Sequence, residues 1–219
     1  MIRLDQVTRT FAGPRPRAIL DRVSLDVAPG SLVAILGESG VGKSTLLNLI
    51  AGLDRPDGGS VTVAGRDLAT LDDDALTVFR REHIGFVFQA FHVLPYLTVA
   101  QNVALPLALL SYEARRVEER VAAMLTAVGL AERADSMPRE LSGGELQRTA
   151  IARALVHRPA VVLADEPTGN LDPASAAGVI ELLRERVHEA GARGVVVTHS
   201  RAAAASADRV LTLTASGLG

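Results

Sequence analysis

The chain has 219 residues, of which 48% are hydrophobic and 22% charged, and its formal net charge at pH 7 is -2. A chain of this length buries roughly 70% of its unfolded surface, which predicts one globular domain. Because the charge is close to neutral, the whole molecule does not attract nucleic acid, and no nucleic-acid partner is expected. The sequence has no cysteine, which excludes disulfides, thiol nucleophiles and cysteine metal sites.

Neither a secretion signal nor a membrane span is predicted. The start, MIRLDQVTRT, has no basic segment followed by an apolar one. The longest uncharged apolar run near the middle, residues 103–110, has eight residues, whereas a membrane span needs about 20. We therefore expect a soluble, cytoplasmic protein.

Short apolar runs bounded by turn residues predict β-strands along most of the chain. They cover residues 2–8, 23–28, 32–36, 60–63, 84–88, 161–164, 195–198 and 210–214. The runs at 32–36, 161–164 and 195–198 are unbroken, as expected of central parallel strands that are covered on both faces. The first strands alternate more and predict an antiparallel edge layer, so the fold class is α/β.

The strand signals stop between about residues 99 and 155. Residues 111–128 have apolar side chains at helical spacing and charges on the other face, which is typical of a helix with one solvated side. We therefore expect a single domain with an inserted helical lobe. The domain covers residues 1–219, its core residues 1–89 and 157–219, and its lobe about residues 90–156.

A glycine-rich segment lies between the predicted strand 32–36 and a helical pattern, and it fits G-x-x-x-x-G-K-S. It consists of Gly37, Glu38, Ser39, Gly40, Val41, Gly42, Lys43, Ser44 and Thr45. The glycines let successive N–H groups point at phosphate oxygens, and the helix N-terminus adds partial positive charge. Lys43, the only lysine of the chain, is expected to reach the β- and γ-phosphates, and the Ser44 hydroxyl to bind Mg²⁺. A glycine-rich turn with an exposed lysine is the structural alternative.

Two acids, Asp165 and Glu166, follow the apolar run 161–164. Because neighbouring side chains on a strand point to opposite faces, we expect the two acids to have different roles. Asp165 fits the Mg²⁺ partner of a phosphate loop, and Glu166 fits a general base that polarises the attacking water. An acidic pair that caps the next helix is the alternative.

A second anion site is predicted at Leu141-Ser142-Gly143-Gly144-Glu145, which precedes a helical pattern. Ser142 is a good N-cap, and the two glycines expose backbone N–H groups at the helix start. Taken alone, the segment also fits a simple capped helix.

These motifs stand in a specific order along the chain. The phosphate loop is followed by Gln89 after an apolar strand, by LSGGE, by Asp165-Glu166, by the turn Gly169-Asn170-Leu171-Asp172 and by His199 after a central strand. In this order the chain resembles the ATP-binding subunit of an ATP-binding-cassette (ABC) transporter over nearly its whole length. Within that family it is most similar to the lipoprotein-release and macrolide-export group.

The resemblance implies a P-loop NTPase core that binds and hydrolyses ATP with Mg²⁺. It also implies that two copies pair head to tail, with each ATP between the phosphate loop of one chain and Ser142, Gly143, Gly144 and Glu145 of the other. The resemblance further implies that Gln89 contacts Mg²⁺ and the attacking water, and that His199 hydrogen-bonds the γ-phosphate. It implies that Asp172 bridges the two sites and that Phe11 stacks on adenine. From the residues alone, His199 is an ordinary strand-end histidine and Phe11 could be a core aromatic.

The segment after Gln89, residues 90–103, is rich in Phe, Leu, Val and Tyr. The resemblance implies a groove there for a coupling helix of a separate integral membrane permease, with Phe91, Leu94 or Tyr96 at the contact. The alternative is that these side chains fill the core of the helical lobe. With a permease as its partner, the protein would lie at the inner face of the cell membrane. Other functions that the sequence leaves open are an ABC-type ATPase acting on ribosomes or DNA, and a regulator that hardly hydrolyses ATP.

Overall fold

A computed structural model of the chain describes residues 1–11, 17–171 and 173–219, and for residues 17 and 173–175 it describes the backbone alone. Asp172 lies outside the described residues. The strands are β1 Ile2–Phe11, β2 Arg17–Val27, β3 Ser31–Leu36, β4 Gly58–Val63, β5 Arg66–Asp67, β6 Ile84–Val87, β7 Val161–Asp165, β8 Arg193–Thr198, β9 Arg209–Thr214 and β10 Gly217–Leu218. The α-helices are α1 Lys43–Ile50, α2 Asp73–His83, α3 Val99–Leu109, α4 Ala114–Ala127, α5 Gly143–Leu155, α6 Pro173–Ala190 and α7 Arg201–Ala204. Short 3₁₀ turns cover Leu68–Thr70, Ala131–Arg133 and Pro138–Glu140.

The strands form two sheets, which confirms the α/β class and the antiparallel edge layer. The larger sheet has the order β10-β9-β3-β8-β7-β6 and is parallel except for the pair β9–β10. The smaller sheet, β2-β1-β4-β5, is antiparallel throughout. All eight predicted strands are present, and β5 and β10, each of two residues, were not predicted.

Apolar side chains cover both faces of the parallel sheet, as the unbroken apolar strands predict. One core cluster lies between the two sheets and includes Leu46 and Ile50 of α1. A second cluster covers the opposite face, where Ile180 and Leu183 of α6 pack on Ala34 of β3. The parallel register sets Leu36 beside Thr198 and Asp165 beside Val197, so that β3, β7 and β8 end at the same edge. The loops that follow these strands therefore meet there, as in other open parallel sheets.

A third cluster lies among α3, α4 and α5 and includes Val103, Val121, Leu125 and Ala152. This separate packing supports an inserted helical lobe, whose boundaries stay a prediction. In α4 Val121 and Leu125 are buried, and the charged side chains other than the half-buried Arg120 are exposed, as the helical spacing predicts. Among the residues that the structure describes, no helix combines the length and apolar character that crossing a membrane requires.

Candidate active site

The glycine-rich loop connects β3 to α1 and leaves the start of α1 uncapped by any side chain. Gly42 is the N-cap residue and has φ 110°, a conformation that residues with a Cβ rarely adopt. A Cβ there would also lie 2.7 Å from the Ile19 Cγ2 atom. Glycine is therefore required at this position, and the first-turn N–H groups of α1 are left to bind an anion.

Lys43 is buried and lies along the loop that it follows. Its Nζ donates hydrogen bonds to the carbonyl oxygens of Gly37, at 2.7 Å, and Glu38, at 3.0 Å. The same Nζ is 3.5 Å from Oε1 of Glu166. The ammonium group thus lies between the loop and the acid that follows β7, which excludes the alternative of an exposed lysine.

Glu166 and His199 are in direct contact. Oε2 of Glu166 is 2.9 Å from Nδ1 of His199 and also accepts a hydrogen bond from the His199 backbone N–H at 3.2 Å. The Glu166 side chain is 13% exposed and that of His199 is 69% exposed. The histidine is therefore tied to the acid through one ring nitrogen.

Asp165 and Glu166 line the same cleft. The expectation that their side chains point to opposite faces is wrong, because the strand ends at Asp165. Glu166 has φ 45°, and its N–H donates to the Val197 carbonyl oxygen at 2.9 Å, so that the backbone turns at this residue. A left-handed conformation at a residue with a Cβ is strained, and strained residues cluster at active sites.

The ionisation of Asp165 depends on its surroundings. Burial raises the pKa of the Asp165 carboxyl above its ordinary value, and the nearby Glu166 carboxylate also raises it. A hydrogen bond with Ser44 and the charge of Lys43 act in the opposite direction. A cation beside this carboxyl would favour its ionised form.

The loop, the acids and His199 surround an open cleft of about 670 Å³. Its lining consists of Phe11, Ile19, Ser39, Gly40, Gly42, Lys43, Ser44, Thr45, Gln89, Asp165, Glu166 and His199. Phe11 is 52% exposed, so it is not a core aromatic, and its ring is available to a ligand in the cleft. The structure therefore brings together in one cleft residues from six separate parts of the sequence.

The side chain of Gln89 reaches this cleft and packs against Gly169. A Cβ added to Gly169 would lie 2.7 Å from Nε2 of Gln89, so that no larger residue fits without moving the carboxamide. Asn170 donates from Nδ2 to the Gln89 backbone carbonyl at 2.9 Å. The turn after Glu166 thus holds Gln89 at both its side chain and its backbone.

The LSGGE segment forms the capped start of α5. Ser142 is the N-cap, and its hydroxyl accepts from the Glu145 N–H at 3.3 Å, while Oε2 of Glu145 accepts from the Ser142 N–H at 2.8 Å. The hydrogen bonds form a reciprocal capping box. Arg133 forms a salt bridge with it, because its Nε is 3.1 Å from Oε1 of Glu145. The hydrogen bond from the Ser142 backbone holds the pKa of Glu145 below its ordinary value. The Glu145 carboxylate is thus engaged in holding the start of the helix.

None of the LSGGE residues lines the cleft of its own chain. Gly143 instead faces the turn after Glu166, where a Cβ would lie 3.4 Å from Cδ2 of Leu171. The structure therefore brings the phosphate loop, the acids, Gln89 and His199 together but leaves the LSGGE segment apart from them. Sequence reasoning missed Ile19, and it named Gly169 and Asn170 as part of a turn without predicting their contacts with Gln89, which is distant in the chain.

Comparison with known proteins now identifies the family. The family model described as ABC transporter matches residues 20–169. The lipoprotein-releasing system ATP-binding protein LolD of Chromohalobacter salexigens is 44% identical over 214 residues, which cover 97% of this chain and 90% of LolD. The macrolide export ATP-binding/permease protein MacB of Burkholderia pseudomallei is 46% identical over 212 residues, 96% of this chain but 32% of MacB. This chain therefore spans about a third of the length of MacB.

A solved structure shares the fold over the full length of the chain. The dimeric structure of the bacterial ABC transporter cassette MJ0796 has a TM-score of 0.88 and 40% identity, and it covers 100% of this chain and 96% of MJ0796. A second structure of MJ0796, a post-hydrolysis state bound to ADP and Pi, has the same TM-score and 39% identity. With a family model over most of its length and relatives above 40% identity, this chain belongs to the ABC transporter family as an ATP-binding cassette.

Proposed function

We propose that this cassette hydrolyses ATP with Mg²⁺ and that hydrolysis drives a conformational change in a separate membrane protein. The observation that carries the proposal is the contact of Glu166 with both Lys43 and His199, in a cleft that also contains the phosphate loop. A carboxylate beside the phosphate-binding lysine can accept a proton from a water molecule that lies next to the γ-phosphate.

ATP binding is assigned to the phosphate loop and Phe11. The N–H groups at the start of α1 and the Lys43 ammonium would bind the phosphates, because both offer positive charge to the same side of the cleft. The exposed ring of Phe11 would stack on adenine. Phe11 is the last residue of β1 and lines the cleft.

Mg²⁺ fits the oxygen groups of Ser44, Gln89 and Asp165, which line the cleft together. This set has a single carboxylate, and Mg²⁺ is usually held by one or two carboxylates together with substrate phosphates and water. The Ser44 hydroxyl lowers the pKa of the Asp165 carboxyl, so the two groups are near enough to meet one ion. When bound, the ion would neutralise charge on the β- and γ-phosphates.

In the reaction, Glu166 would take a proton from the attacking water. The water oxygen forms a bond to the γ-phosphorus as the bond to the bridging oxygen breaks, which gives ADP and phosphate. His199 would fix the orientation of Glu166 through Nδ1, and its other ring nitrogen would hydrogen-bond the γ-phosphate. Gln89, held against Gly169, would orient the water from the opposite side.

A second copy of the chain would complete the site. The LSGGE segment does not line the cleft of its own chain. At the helix start that it forms, the N–H groups of Gly143 and Gly144 have no partner among the described residues, which suits them to phosphate. MJ0796, which shares the fold, forms a dimer. We assign the γ-phosphate side of each ATP to Ser142, Gly143 and Gly144 of the second copy, and Asp172 to the junction between the two sites.

The membrane partner is assigned to the segment that follows Gln89. Within it Val99 and Val103 are fully buried, as the lobe-core alternative predicts, whereas Leu94 is 45% exposed and Tyr96 is 89% exposed. The two exposed side chains would contact a helix of a permease at the inner face of the cell membrane. The names of LolD and MacB place those relatives in lipoprotein release and in macrolide export.

The first test is Glu166→Gln, compared with Glu185→Gln at an exposed acid of α6 as the control. We expect Glu166→Gln to lower ATP turnover by about 10²–10⁴-fold because the base is lost, with ATP binding retained. The control should hydrolyse like the unmodified protein. Near-normal turnover by Glu166→Gln would remove this residue from the proposed role.

The partner is tested by affinity capture from detergent-solubilised membranes with tagged Glu166→Gln and ATP. We expect a multi-span membrane protein, which is lost when Tyr96→Asp is added and kept when Leu53→Asp is added, since Leu53 is also exposed but lies after α1. Capture of ribosomes or nucleic acid without a membrane protein would contradict the proposed partner.

A further inference from the structure

Two consecutive residues after Gln89 have left-handed backbone conformations. Phe91 has φ 59° and His92 has φ 49°. Residues with a Cβ adopt this conformation at a cost, and two in succession persist only where surrounding groups hold them. The segment between Gln89 and the exposed Leu94 therefore needs a support outside itself.

Arg153 of α5 supplies that support. Its Nη1 donates to the His92 carbonyl oxygen at 2.6 Å, and its Nη2 donates to the Phe91 carbonyl oxygen at 2.9 Å. Burial lowers the pKa of Arg153, but an arginine in a protein keeps its charge. The planar fork can bind two carbonyl groups at once, which the single ammonium of lysine does less well.

The other contacts of this segment do not replace Arg153. The His92 ring lies 4.6 Å from the ring of Phe88, which directly precedes Gln89. Further along, Asn102 accepts from the Leu94 N–H at 2.7 Å and donates to the Leu94 carbonyl oxygen at 3.1 Å. Neither interaction involves the carbonyl groups of Phe91 and His92, which Arg153 binds.

Arg153 also connects two parts of the proposed site. It belongs to the helix that begins at the LSGGE segment, and it holds the turn that begins two residues after Gln89. A movement of α5 would therefore pull on the backbone next to the carboxamide that lines the cleft.

We propose that Arg153 is a positioning residue that holds the Phe91–His92 turn in its left-handed conformation and thereby sets the Gln89 carboxamide in the cleft. The proposal rests on the proposed function, because Gln89 acts there on the water that attacks ATP. Arg153 does not line the cleft, so it would act through Gln89 alone.

The kinetic test is Arg153→Met, which keeps an unbranched side chain and removes the fork. We expect kcat for ATP hydrolysis to fall by about 5–30-fold, because the left-handed turn is no longer held, with KM for ATP within about twofold. Arg153→Lys, which keeps the charge and the apolar stem, should show a smaller loss of kcat and serves if Arg153→Met does not fold.

A rescue experiment distinguishes a positioning role of Arg153 from a general contribution of Arg153 to the stability of the fold. Glycine adopts the left-handed conformation without strain, so adding His92→Gly to Arg153→Met should restore kcat by about threefold or more. His92→Ala removes the same ring but keeps a Cβ, and it should restore nothing. Equal effects of the glycine and alanine substitutions would overturn the proposal.

Hydrogen exchange tests Arg153 without any ATP hydrolysis. In the full chain without nucleotide, Arg153→Met should raise the exchange rate of amides at residues 91–94, which the clamped turn protects, and leave α4 unchanged. Unchanged exchange at 91–94 would overturn the role of Arg153 even if the unmodified cassette hydrolyses ATP. Faster exchange in a chain that does not hydrolyse ATP would instead locate the failure in the proposed function.

Discussion

Gly169→Ala tests whether the turn after Glu166 sets the position of Gln89. The new Cβ would lie 2.7 Å from Nε2, 3.0 Å from Cδ and 3.2 Å from Cγ of Gln89. An ordinary contact begins at 3.4 Å, so the carboxamide must withdraw by about 0.7 Å. Gly169 has no positive φ, so alanine fits its backbone and the change acts on the side chain of Gln89 alone.

A displacement of this size at a group that is proposed to orient the attacking water should cost roughly 10–100-fold in kcat. The free energy of unfolding should stay within about 0.5 kcal/mol, because Gly169 is exposed and the clash is with a movable side chain. The measurement is steady-state ATP hydrolysis alongside urea denaturation. Gly178→Ala is the matched control, since Gly178 is an exposed position of α6 where a Cβ meets nothing within 4 Å. It should raise stability by about 0.4–1 kcal/mol and leave kcat unchanged.

A double-mutant cycle with Gln89→Ala tests the mechanism. If Gly169 acts through Gln89, the alanine at 169 has nothing left to displace once the carboxamide is gone. The two losses in kcat should then fall well short of additivity. Full additivity, or a loss of stability that parallels the loss of kcat, would refute the reasoning.

The other predictions concern stability. The His157 ring is buried with both nitrogens unpaired within the described residues, and burial lowers its pKa from 6.5 to about 4. Stability from the neutral ring is therefore present above pH 6.5 and is lost as pH falls toward 4. In urea denaturation, His157→Leu should reduce the loss between pH 7.5 and 4.5 by about 2–3 kcal/mol, and an unchanged difference would contradict this. Ser142→Ala should cost about 1 kcal/mol because the cap of α5 is lost, and Ser142→Asn, another capping residue, only a few tenths. Equal stabilities of the two Ser142 variants would exclude the capping role.

Local pattern predicted most of the fold because each central strand is an apolar run that ends at a turn. The two-residue strands β5 and β10 are too short to show a pattern of any period. The order and spacing of the motifs predicted which residues line the cleft. They did not predict the orientation of Glu166, because the alternation of side chains along a strand stops where the strand ends. The role of Arg153 is set by hydrogen bonds across 61 and 62 residues, and that of Asn170 by one across 81. Such contacts leave no local periodicity in the sequence.

The parallel register of β3 has a consequence for how the protein is made. Residue 36 pairs with residue 198, and β9 adds on the other side of β3. A ribosome therefore completes the phosphate loop long before it synthesises the strands that hold β3 in the sheet. Pairings between such distant segments form slowly because a long loop must close first. The nascent cassette therefore contains its phosphate loop early. The edge of the sheet that would bind ATP forms only after β8 and β9 have been synthesised.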